Sequence, residues 1–235
     1  MCLCARSASL VRWVFCGLVL AGLAVPILSQ AQEAKTVSVR FSAFSLKGKL
    51  GELSILNNGK VEKLKVGDYR RSETVEYVGS QDLVFFTGAV GADGQPTGVV
   101  ARTRLKPRFK QPLLLFVKAG ESYNIMQVED QPERFPVGSI RFMNLTSRKH
   151  EVYLGIGEDA KERLRIPPLG VRNYQMQQED HGNLRLRIAK EHEGEVQMLR
   201  DCRVFPDQTQ RYIYFIYQPN PDKPRIQIAS LSGGV

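Results

Sequence analysis

Five cations occupy every second position along one short stretch: Arg102, Arg104, Lys106, Arg108 and Lys110. Alternate side chains of an extended strand share a face, so at about 3.3 Å per residue these five predict a positive line of roughly 27 Å. Its natural counterparts are repeating anions, either the uronate carboxylates of an acidic polysaccharide or the phosphates of lipopolysaccharide, which arginine binds through paired N–H donors. The same composition suits an edge strand, where Lys and Arg block unwanted pairing and Pro107, lacking an N–H, is tolerated. The two uses are compatible.

Other reactive side chains are sparse. His150, His181 and His192 are the only histidines, each beside acidic or turn residues, and no pair has a recurrent metal-ligand spacing. Cys202, between Arg200 and Arg203, reads as a small buried hydrophobe. No Gly-x-Ser-x-Gly elbow is present, and Gly155-Ile156-Gly157 lacks the third glycine and the following helix of a dinucleotide site. The chain is therefore expected to be non-enzymatic, with no catalytic residue, no metal and no cofactor.

The elements that must position the cations read as strands. Between residues 36 and 128 the expected strands are 36–44, 53–56, 61–66, 74–78, 83–86, 99–105, 113–117 and 123–128, separated by turn signals. Asn57-Asn58-Gly59 is the clearest of these, because Asn and Gly accept the positive φ of a tight hairpin. The second half supplies 139–145, 152–156, 162–166, 171–176, 184–188, 196–199, 212–217 and 225–229. No window shows a sustained apolar period of 3.6 residues.

The two series match in order at an offset of about 100 residues. Val39-Arg40-Phe41 returns as Ile140-Arg141-Phe142, and the run from Leu113 to Val117 as that from Ile213 to Tyr217. The expected fold is all-β: two tandem immunoglobulin-like β-sandwich domains from an internal duplication, over 32–130 and 139–235, joined by a linker at 131–138. In that linker Pro132 and Pro136 stop strand pairing, and Phe135 is available as an anchor. The runs 113–117 and 212–217 are apolar on both faces, so something must cover the face that each domain's own core leaves free. The other repeat is the expected cover. A partner protein docking on Tyr212, Tyr214 and Ile216, or on Leu114 and Phe116, is the alternative.

Location follows from the N-terminus. Arg6 and Arg12, an apolar run from Trp13 to Leu28 and then Ser29-Gln30-Ala31 make a cleavable signal peptide over 1–31, cut before Gln32. The apolar run is short for a membrane span and contains Pro26, so no stable span is expected after cleavage. Cys2, Cys4 and Cys16 leave with that segment, so Cys202 is left without an internal partner, an economy that suits a periplasmic or secreted bacterial protein. Asn144-Leu145-Thr146 accordingly reads as a strand end and not as a glycosylation site. Across the full chain 33 Lys and Arg face 24 Asp and Glu; without the two leader arginines the balance is 31 to 24, or +7. That charge favours anionic polymers and surfaces. Nucleic acid is not an expected partner of an exported protein whose basic face lacks interleaved aromatics.

The stretch from Glu133 to Leu145, followed by Leu164-Arg165-Ile166-Pro167-Pro168-Leu169-Gly170, resembles a group of uncharacterised bacterial secreted β proteins. Tandem β domains that open on a Val/Ile-Arg-Phe strand also resemble the periplasmic adaptor of alginate O-acetylation. That second resemblance implies two non-catalytic β-sandwich domains acting as a binding or adaptor module in the bacterial envelope. It assigns no binding residue.

Overall fold

The structure is a computed structural model that describes residues 36–46, 48, 50–146, 152–159, 161–192, 195–219 and 225–233. The expected signal peptide and His150 lie outside the described residues, as does the side chain of His192.

Strands follow one another as the alternating pattern demands. In the first half they are β1 (Thr36–Ser45), β2 (Gly51–Asn57), β3 (Lys60–Val66), β4 (Val75–Ser80), β5 (Asp82–Phe86), β6 (Val99–Arg104), β7 (Pro112–Ala119) and β8 (Ser122–Glu129). The second half contains β9 (Ser139–Leu145), β10 (Val152–Ile156), β11 (Glu162–Ile166), β12 (Val171–Gln175), β13 (Leu184–His192), β14 (Glu195–Val204), β15 (Arg211–Tyr217) and β16 (Gln227–Gly233). A single 3₁₀ turn, Gln178–Asp180, interrupts the described series. Between β2 and β3, Asn58 and Gly59 have φ of 49° and 75°, the left-handed pair that a two-residue hairpin requires.

Each half makes two four-stranded sheets, ordered β4-β1-β7-β8 and β3-β2-β5-β6 in the first and β12-β9-β15-β16 and β11-β10-β13-β14 in the second. Strand for strand, the order is the same. In both halves the first and seventh strands pair in parallel while every other ladder is antiparallel. Both halves also bulge at one place, between Phe85 and Phe86 in β5 and between Ile188 and Ala189 in β13. These are tandem β-sandwiches with the two-layer build of immunoglobulin domains. Their first strand is interior to its sheet, flanked by the fourth and seventh.

Alternation along β7 and β15 explains how the sandwiches join. Leu114 and Phe116 enter the first core with Phe41 and Phe85, whereas Tyr214 and Ile216 enter the second with Phe142 and Ile188. The opposite faces meet in a third core: Phe44, Leu113 and Leu115 pack with Met143, Ile213, Phe215 and the linker residue Phe135. Phe44 and Phe215 stack across this seam at 5.1 Å between centroids. Both sandwiches belong to one compact unit, Ala34–Val235, so four sheets lie in succession around three apolar layers. The second apolar face of β7 and β15 is therefore covered by the other sandwich.

Two paired strands run well past their expected ends. The strands at 184–188 and 196–199 extend to His192 and Val204, because 189–192 pair with 195–198 and Arg200-Asp201-Cys202-Arg203 pairs with 185–188 despite its charge. There Arg185 binds Asp201 in a fork, at 2.9 and 2.7 Å, so ion pairing does across the ladder what apolar alternation does elsewhere.

Candidate functional site: a cationic edge and the seam beside it

The strand β6 is an edge of its sheet, and its residues alternate as the sequence requires. Ala101 and Leu105 face the core, while Arg102, Arg104 and Lys106 are exposed on the other side. The single line of five cations is not formed. Regular strand ends at Arg104, and the Phe109 N–H donates to the Lys106 carbonyl at 2.9 Å, closing a turn. Pro107 sits second in that turn, where its fixed φ favours bending over extension. The Lys106 N–H is held by the Gln127 side chain of β8 at 2.8 Å, which pins the turn to the opposite sheet.

The result is a folded patch and not a rod. All five cations remain exposed, and Lys106 and Arg108 lie over the ring of Phe109 at 5.5 and 4.9 Å from its centroid. An aromatic is thus set among the charges, which the sequence pattern had not suggested. Among the described residues, the carboxylate paired with the patch is Asp82, which lies 4.0 Å from Arg104 in a solvent-exposed contact.

The turn borders a cleft of about 620 Å³ where the sandwiches meet. Met126 and Val128 of β8, Met143 of β9 and Leu169 line it, with Lys106, Phe109, Arg141 and Arg172 as its polar and aromatic members. Arg141 is buried and lies 4.1 Å over the Phe135 ring, and it donates to Asn173 at 2.9 Å and to the Glu129 carbonyl. Burial lowers its pKa, against the opposing pull of Asp130 and Glu129. Arg211 clamps the same linker from β15, donating to the carbonyls of Asp130 and Phe135 at 2.9 and 3.3 Å. Two arginines of the second sandwich therefore hold the ring of Phe135 in the seam.

The aromatic face proposed for a partner is interior. Tyr214 and Ile216 are buried in the second core, and Tyr212 is half-buried with its hydroxyl accepting from the Asp207 N–H at 2.9 Å. Leu114 and Phe116 are likewise buried in the first core. Four of the five side chains are thus enclosed, and Tyr212 is the one that is partly exposed. Exposed apolar side chains occur instead on β14, where Val196 and Met198 are 71% and 55% exposed at the free edge of the outer sheet. Sequence reasoning passed over them because an isolated Val or Met in an alternating strand carries no sign of which face is wet.

The remaining candidates do not converge. His181 is exposed in a turn, near the Gln208 N–H at 3.5 Å, and no group of three His, Cys, Asp or Glu residues suitable for a metal occurs among the described residues. Cys202 is free and half-buried against the second core. Asn144 is fully buried, donating to the Ile166 carbonyl at 3.0 Å and accepting from the Thr146 N–H, so its amide is a structural crosslink. No helix among the described residues is long and apolar enough to cross a membrane. No family of known proteins matches this sequence, and none of the curated proteins is measurably similar to it.

Proposed function

We propose that this protein is an exported, non-enzymatic binding module of the bacterial envelope whose cationic edge engages an anionic polysaccharide or lipopolysaccharide. The supporting observation is the patch itself: Arg102, Arg104, Lys106, Arg108 and Lys110 all stay exposed, with Asp82 as a weak counter-charge. Such a surface attracts polyanions over a Debye length of about 10 Å at moderate salt, and arginine forks then bind individual carboxylates or phosphates. In the topologically equivalent strand β14, the ladder register places Asp201 where β6 has Arg102 and Arg203 where it has Arg104, so the sandwich folds with either charge at the first of these positions.

The test is charge reversal. A variant with Arg102→Glu, Arg104→Glu and Arg108→Glu is expected to elute from an alginate or lipopolysaccharide column at markedly lower salt than the parent, with unchanged thermal stability. Equal retention of the two proteins refutes the reading.

A second reading, as an adaptor for another envelope protein, is favoured by Val196 and Met198 on the β14 edge, where an incoming strand would add to the sheet. Under that reading Met198→Lys abolishes capture of the partner while polyanion retention is unaffected.

A further inference from the structure

A second cavity at the seam combines buried charge with open space. It has a volume of about 390 Å³ and is bounded by Ser42, Arg71, Asp130, Arg211 and Gly233. Asp130 and Arg211 are 5% and 8% exposed. The Arg71 guanidinium binds Asp130 Oδ2 and donates to Ser42 Oγ at 3.2 Å, while Arg211 Nη1 stands 3.7 Å from Asp130 Oδ1. These contacts leave part of each group unmet. Among the described residues Arg71 Nε, Arg211 Nε and Asp130 Oδ1 are buried without a hydrogen-bond partner. Stranding three such atoms is costly, and native structures avoid it unless another group completes the set.

Gly233 borders the space such a group would use. A methyl group on its Cα would lie 3.5 Å from Arg71 Nη2, 3.6 Å from Arg211 Nε and 3.9 Å from Arg71 Cζ. The space over this glycine is thus within reach of both guanidinium groups. Arg40, Arg71 and Arg211 line the cavity against Asp130; with Arg40 offset by Glu76 at 3.6 Å, the net charge is +1, which a monoanion neutralises and a dianion overshoots in a poorly solvated place. The stranded Asp130 oxygen calls for a donor beside that anion, as the hydroxyl of a hydroxy acid provides.

We propose that Arg71, Arg211 and Asp130 form a binding site for the carboxylate and adjacent hydroxyl of a small hydroxy acid, of which an acidic sugar is one form. The carboxylate lies between the two guanidinium groups, over Gly233, and its neighbouring hydroxyl donates to Asp130 Oδ1. The site is independent of the cationic edge, so either can fail without the other.

The experiment follows the Nε–Hε resonances of Arg71 and Arg211 by NMR in the full chain during titration with gluconate. Both are expected to shift and saturate in the millimolar range, with acetate at least about tenfold weaker and glucose inert. Gly233→Ala places a methyl group in that space without adding charge or forcing backbone strain, since its added carbon makes only ordinary contacts. It is expected to keep the parental melting temperature and to weaken gluconate by at least about tenfold. The charge-reversed edge variant is expected to bind gluconate as the parent does. Resonances that do not move, a Gly233→Ala variant that binds like the parent, or phosphate binding as tightly as gluconate would each overturn the assignment.

Discussion

Phe44→Ala and Phe215→Ala test whether the seam is a true core. Both rings are fully buried, and each belongs to a sheet whose other face is already committed to its own sandwich. Collapse into the space left by either ring is therefore limited, and each variant is expected to lose about 3–5 kcal/mol, the usual cost of a buried Phe→Ala. The rings also stack at 5.1 Å and 15°, an arrangement that contributes roughly 0.5–1.5 kcal/mol beyond area burial. Once one ring is gone, the other has already lost that contribution. The double variant should then fall short of the sum of the single losses by about 1 kcal/mol, above the ~0.3–0.5 kcal/mol within which independent sites add. Urea unfolding of the parent, both single variants and the double variant, followed by circular dichroism with the slope checked for constancy, measures all four corners of the cycle. Single losses under about 1 kcal/mol, or a double loss equal to the sum, would mean that the sandwiches do not pack on each other as described.

Other consequences can be checked on the same protein. Asn144→Ala strands the Ile166 carbonyl and the Thr146 N–H inside the second sandwich, and should cost about 1–3 kcal/mol by denaturant unfolding; a change near zero refutes the crosslink. At the surface of that sandwich, Arg203 and then Arg185 hold the Glu158 carboxyl below its ordinary 4.5, and Arg185 holds Asp201 below its ordinary 3.8. Because the folded values are depressed, their stabilising contribution is fully present above those ordinary values and is lost as pH falls through the lower, folded ones. Side-chain carbon NMR should give both titration midpoints below the ordinary values, and Arg185→Gln should raise both. Midpoints at the ordinary values would show the pairs to be absent in solution, and high salt should shrink the shifts because these groups are exposed.

Much of the architecture was legible in the chain. Every expected strand has a counterpart, since alternation with period two and turn residues such as Asn58-Gly59 act within a few residues of each other. The doubly apolar runs at 113–117 and 212–217 announced a covered second face from composition alone, and the other sandwich covers it. The strand extension through Arg200-Asp201-Cys202-Arg203 was hidden, because its stability comes from partners on β13 and not from its own pattern.

The sites, by contrast, were settled by packing between distant segments. Alternation of five cations between 102 and 110 is plain in the chain, but whether they form a line or a patch depended on Gln127 gripping the chain beside Pro107 from another sheet. That β15 is apolar on both faces is equally plain. Which face meets the domain core and which meets the seam follows from strand order, and that order put Tyr214 and Ile216 out of a partner's reach. Arg71, Asp130, Arg211 and Gly233 are separated by tens of residues and share no motif, so their convergence on one cavity had no local signal. Periodicity reports on neighbours in the chain, whereas such a site is assembled by ladders and packing between distant segments, and these exist only once the chain has folded.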